Sequence, residues 1–116
     1  MNAGTEFLKG CTETVVLKLL SEKRMYGYEL VSEIKRRSGG FLNLAQGTVY
    51  PLLYALERKG FIVGLWEEGT QEGERRRKYY ELTAKGKQAV KADISEWDRL
   101  VKGMTLLLGG THASGV

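Results

Sequence analysis

The sequence predicts a mainly α chain with a small β-hairpin, an α+β fold in which three helices precede the hairpin and one long helix follows it. Two observations predict this order. Apolar residues recur at helical spacing in four segments, and two short β-branched runs flank a polar, glycine-containing stretch in the second half. The first helix is expected over about residues 6–21, where Leu8, Cys11, Val15, Val16, Leu19 and Leu20 share one side. Cys11, the single cysteine, permits no internal disulfide and reads as a small core residue. A second helix begins near residues 26–28 and carries Leu30, Val31 and Ile34. It ends in Lys35-Arg36-Arg37 before Gly39-Gly40, cations and then glycine being a helix stop.

The stretch QGTVYPLLYALERKGFI forms the third helix, with Val49, Leu53 and Leu56 on its buried stripe and Leu52 beside them. The chain's only proline, Pro51, lies opposite that stripe, in line with Gly47, Tyr54 and Arg58. Two starts are open. Thr48 could cap the helix, or the helix could begin near Gln46 with Pro51 removing one bond to the Gly47 carbonyl; the earlier start is preferred. The helix should end at Lys59, with Gly60 as its left-handed cap. Pro51 either stiffens the outward turn, holding Tyr50 and Tyr54 in fixed directions, or bends the helix around the core.

Residues 61–66 and 77–82 read as two strands of a hairpin, with the polar tip EEGTQEGE between them. Thr83 offers an N-cap for a helix running to about Leu108. Along it Val90, Ile94, Trp97, Val101, Met104 and Leu108 are spaced 4, 3, 4, 3 and 4, a heptad seam. Residues 109–116 are rich in small side chains and read as a flexible tail.

Composition narrows the function. Hydrophobic residues at 42% and charged residues at 28% are ordinary globular values, which excludes a disordered chain. No apolar run is long enough to span a bilayer or to serve as a signal peptide, so a cytoplasmic protein is expected. Between Glu72 and Lys91 stand seven basic and three acidic residues, which accounts for the whole net charge of +4. A local anion-binding feature fits that placement better than a generally basic protein does. Catalysis is not expected. The one histidine, His112, lies in the tail, and one cysteine without an acid cluster assembles neither a nucleophile with its base nor a metal site.

Three helices, a hairpin with a basic strand and a further helix follow the order of a winged helix-turn-helix. In such a unit the third helix faces the major groove. Gln46, Thr48, Tyr50 and Tyr54 would then meet base edges, thymine methyls and phosphates, and Arg75, Arg76, Arg77 and Lys78 would supply the electrostatic grip. The bland reading leaves the basic run as a solvated strand end and the tyrosines partly buried. A protein-interaction adaptor that uses the same fold without reading DNA is the alternative from another class.

Four motifs carry a family resemblance: MYGYEL at 25–30, GTVYPLLYALERKGFI at 47–62, RRRKYYELTAKG at 75–86, and a single long C-terminal helix. In this order, over nearly the whole chain, they resemble the PadR family of bacterial transcriptional regulators in its shorter form. The resemblance implies a homodimeric winged-helix repressor of detoxification or efflux genes. It places the helix near Gln46 in the groove and residues 75–78 in the wing. Ala45 stands where many relatives have a capping serine. Residues 1–83 would form the DNA-binding domain and residues 84–108 the dimerisation helix. Its seam, Val90, Ile94, Trp97, Val101, Met104 and Leu108, would meet a partner chain, with Phe7 and Leu8 completing the interface. Trp97 stands mid-seam, where two copies could frame a slot for a small planar aromatic effector, or could simply fill the interface. No cofactor or metal is expected.

Overall fold

Helix α1 (Thr12–Glu22) buries Val16, Leu17, Leu19 and Leu20 along one side. The computed structural model describes residues 11–67 and 77–109, so the turn expected before residue 11, with Phe7 and Leu8, lies outside the described residues. Cys11 corrects one expectation: it stands at the N-cap of α1 and is half-buried, a groove-lining residue instead of a core one.

Helix α2 (Gly27–Arg37) begins where the Tyr26 amide donates to the Glu29 carboxylate at 2.9 Å, satisfying a donor the first turn would leave open. It buries Leu30 and Ile34 and stops, as expected, after its three cations. Helix α3 (Gln46–Arg58) takes the earlier start. The Thr48 and Val49 amides both donate to the Ala45 carbonyl, so Thr48 is already inside the helix and no side chain caps it. The helix runs unbroken through Pro51, which is exposed and has no N–H to donate to the Gly47 carbonyl. At its far end the Phe61 amide reaches the Leu56 carbonyl and the Gly60 amide reaches that of Glu57, with Gly60 at φ 80°. This paired closure needs a left-handed residue, which is why glycine stands there.

The sheet has three strands where a two-stranded hairpin was expected. Strands β2 (Ile62–Trp66) and β3 (Lys78–Leu82) pair antiparallel, and β1 (Met25–Tyr26) adds to the other edge of β3, in the order β1-β3-β2. Two residues are too few to show a strand period in sequence. Phe61 stays outside β2 because its amide closes α3. The register Ile62 to Leu82, Gly64 to Tyr80 and Trp66 to Lys78 puts these pairs on one face, and on that face Ile62 and Tyr80 enter the core.

Helix α4 (Ala84–Leu108) starts as expected on Thr83, whose hydroxyl accepts from the Gly86 amide at 3.0 Å and donates to the Gly60 carbonyl at 2.6 Å. Gly109, at φ 75°, ends it. Val90 corrects the expected seam. It belongs to the chain's own core, with Ile94 packed against that core, because the start of α4 lies on α1; Thr14 donates to Asp93 across this contact at 3.1 Å. Among the described residues no helix is long and apolar enough to cross a membrane.

Candidate nucleic-acid interface

The buried stripe Val49, Leu53 and Leu56 turns the opposite side of α3 outward. Gln46, Gly47, Thr48, Tyr50, Pro51, Tyr54 and Arg58 are all exposed there, with no carboxylate among them. Tyr54 is 64% exposed, and the Arg58 guanidinium sits 5.9 Å from its ring centre, one helical turn away. Tyr50 is held differently. Its ring lies against the backbone of Gly27 at the head of α2, where an added Cβ would stand 2.6 Å from the phenol oxygen. A side chain at position 27 would have to displace the Tyr50 ring, so the glycine there seats Tyr50 between α3 and α2. Tyr50 is still 41% exposed, so the seat fixes the ring without hiding it.

The wing divides the basic run. Arg75 and Arg76 lie outside the described residues. Arg77 is exposed and bonded to Glu67 at 3.0 Å, with its guanidinium 4.8 Å from the Tyr26 ring centre. Tyr26 stacks on Tyr28 at 5.6 Å and meets Tyr79 edge-on, and Arg24 covers Tyr79. A hydrogen bond to Glu67 pushes the Tyr26 phenol above its usual range. Sequence reasoning missed this cationic and aromatic cluster, because β1 brings Tyr26 to Tyr79 and no local pattern announces that pairing. Lys78 departs from the expected outward grip: it is half-buried, and its ammonium bonds Glu57 of α3 at 3.2 Å.

A second surface lies away from α3. A groove of about 800 Å3 runs between α1, the end of α2 and α4, with Val15, Leu19, Ile34, Ile94, Trp97 and Leu100 among its lining residues. Along α4, Trp97 is 44% and Leu100 53% exposed, and Met104, Leu106, Leu107 and Leu108 are also open, while Val101 is half-buried. Leu100 and Leu107 extend the seam that sequence spacing outlined, and Val90 drops out of it. The polar end of the groove is an ion-pair network. Arg37 bonds Glu22 at 2.7 Å and Glu33 at 2.9 Å, and Arg36 bonds Glu33 at 2.8 Å.

The hydrogen bonds from Arg36 and then Arg37 lower the Glu33 carboxyl from 4.5 to about 2. A depressed carboxylate stabilises the fold fully above its ordinary value and loses that contribution as pH falls through its folded value. The melting temperature should therefore fall between pH 4.5 and about 2, and Glu33→Gln should remove part of that fall. Identical acid profiles for the two proteins would show that the network contributes nothing.

An exposed third helix beside a β-wing, closed by a long helix with an open apolar stripe, defines a winged-helix transcriptional regulator. The chain belongs to the Transcriptional regulator PadR-like family, which it matches over residues 16–92. It is similar to the transcriptional regulator Rv3488 of Mycobacterium tuberculosis, 27% identical over 110 residues and 95% of each chain. It also resembles the crystal structure of a PadR-like transcriptional regulator from Bacillus cereus. That likeness is 30% identical with a TM-score of 0.78, over 90% of this chain and 98% of the other. The Bacillus subtilis PadR structure in complex with operator DNA is 28% identical with a TM-score of 0.65, over 72% of this chain and 46% of that one. The family is one of transcriptional regulators, not of enzymes.

Proposed function

We propose that this protein is a sequence-specific double-stranded DNA-binding repressor of detoxification or efflux genes, acting as a homodimer and released by a small planar aromatic effector. The observation that carries the reading is the outward face of α3, which exposes hydrogen-bonding and aromatic side chains and no carboxylate. Gln46, Thr48, Tyr50 and Tyr54 read the major groove, and Arg75, Arg76 and Arg77 hold the flanking phosphates. The likeness to a PadR bound to operator DNA supports the same orientation. Residues 84–108 form the dimerisation helix. Trp97, Val101, Met104 and Leu108 are its contacts, Leu100 joins them, and Phe7 and Leu8 complete the interface.

A duplex selected by the protein from a randomised library, titrated over a series of salt concentrations, tests the reading. Affinity should fall with a log–log slope near −0.9 per phosphate neutralised, about −0.9Z overall. Arg76→Ala with Arg77→Ala should weaken binding to every sequence and flatten the slope by up to about 1.8, two phosphates' worth. An unchanged slope removes the wing from the DNA, and no binding to any duplex favours the adaptor.

The groove beside Trp97 supports the effector. Planar phenolic or cationic compounds should quench Trp97 fluorescence in a Trp66→Phe background and lower affinity for the selected duplex. If none quenches, or if Trp97→Ala binds them as well, Trp97 only fills the interface.

A further inference from the structure

We infer that Lys78, Glu57 and Gly64 form a strut that sets the angle between the wing and α3, with Lys78 a positioning residue instead of a phosphate ligand. This rests on the DNA-binding reading above. Strand parity is the first reason. Residues 78, 80 and 82 share the sheet face that buries Tyr80, while Arg77 and Tyr79 share the other, toward Arg24 and Tyr26. One basic run is thus split between two faces, and Lys78 is on the side of the core and α3.

Geometry is the second reason. The Lys78 ammonium meets the Glu57 carboxylate at 3.2 Å, and the rings of Trp66 and Tyr80 lie 5.6 and 5.5 Å from it. Glu57 stands in the last turn of α3, so the pair joins the helix that carries Tyr54 to the base of the wing. Such a pair, partly withdrawn from water, is screened less than a surface one.

Gly64 is the third. It sits across from Tyr80, and the Lys78 chain passes over it: an added Cβ would overlap Lys78 Cε and stand 3.0 Å from Glu57 Oε2. Any side chain at position 64 would lift both partners. A glycine inside a strand weakens it, and here the close approach accounts for its presence. Lys78 is matched by Glu57 with both side chains largely withdrawn from water, 28% and 26% exposed, so it releases no counterion on binding DNA, whereas Arg77, paired with Glu67 but 54% exposed, is open to exchange that partner for a phosphate.

The test compares Lys78→Met, Glu57→Gln, their double variant, Gly64→Ala and the exchanged pair Lys78→Glu with Glu57→Lys. Each is titrated with the library-selected duplex over a salt series. Each single change should weaken binding roughly tenfold at fixed salt, the double variant no more than either, and the exchanged pair should recover most of the loss. All should keep the wild-type salt slope. In the free proteins, nitrogen relaxation should show the amides of Trp66, Glu67 and Arg77 gaining fast motion in the single variants. A slope flattened by about 0.9 in Lys78→Met makes it a phosphate ligand and overturns the strut. Additive losses, or unchanged affinity, overturn it too. Should the wild type bind no duplex, the DNA reading fails by itself. The strut is then judged on relaxation, where unchanged amide order in both single variants overturns it.

Discussion

Leu100→Glu is expected to give a folded monomer. Leu100 is 53% exposed, so the carboxylate it becomes stays in water while the chain is alone. Against a partner helix the same group would be desolvated, at a cost of about 3 kcal/mol, or more than a hundredfold in dimer affinity. The reason lies in the shape of the fold. Val90 and Ile94 pack in the chain's own core, but from Trp97 onward most of the apolar residues of α4 are exposed. A continuous open apolar stripe of this kind marks an association surface. Operator affinity should fall with the dimer, because each half-site would then be held singly. Sedimentation equilibrium is the measurement, and a dimer that persists in Leu100→Glu removes α4 from the interface.

The same alanine substitution at two buried glycines should produce opposite phenotypes. At Gly86 the new Cβ would overlap the Phe61 carbonyl oxygen, and Thr83 binds the same loop through the Phe61 and Gly60 carbonyls. Backbone on both sides cannot yield without separating α4 from the end of α3, so Gly86→Ala should lose about 3 kcal/mol of stability. At Gly27 the obstructing atoms belong to the outer part of the Tyr50 ring. That ring can swing away, so Gly27→Ala should melt close to the wild type yet weaken the selected duplex about tenfold, since the aromatic ring leaves its seat. Tyr50→Ala should hide this effect, the double variant binding no worse than Tyr50→Ala alone. Thermal melts and duplex titrations of the four proteins check both halves. Equal stability loss at the two glycines would mean that Tyr50 cannot move. Undiminished binding by Gly27→Ala would mean that the seat does not position the ring for DNA.

What the sequence determined by itself was local. The helical periods placed α2, α3 and α4 close to their observed bounds, Gly60 and Thr83 were legible as caps, and the outward face of α3 followed from the stripe opposite it. These signals lie within one or two turns of chain, where backbone geometry and side-chain spacing act directly. Four motifs in order were enough for the family. The tertiary structure decided what depends on neighbours distant in sequence. Met25-Tyr26 becomes a strand only because β3 offers it an edge, and Val90 leaves the seam only because α1 covers it. Lys78 and Arg77, adjacent in a run that looks uniform, go to opposite faces because a strand alternates and Glu57 waits on one side. Helical spacing puts Gly27 on the inner side of α2, but only the fold lays on it the ring of Tyr50, 23 positions later in the sequence. Charge and periodicity report what a side chain can do, but contact requires a partner brought close by folding, and the partner's position is not written in the local pattern.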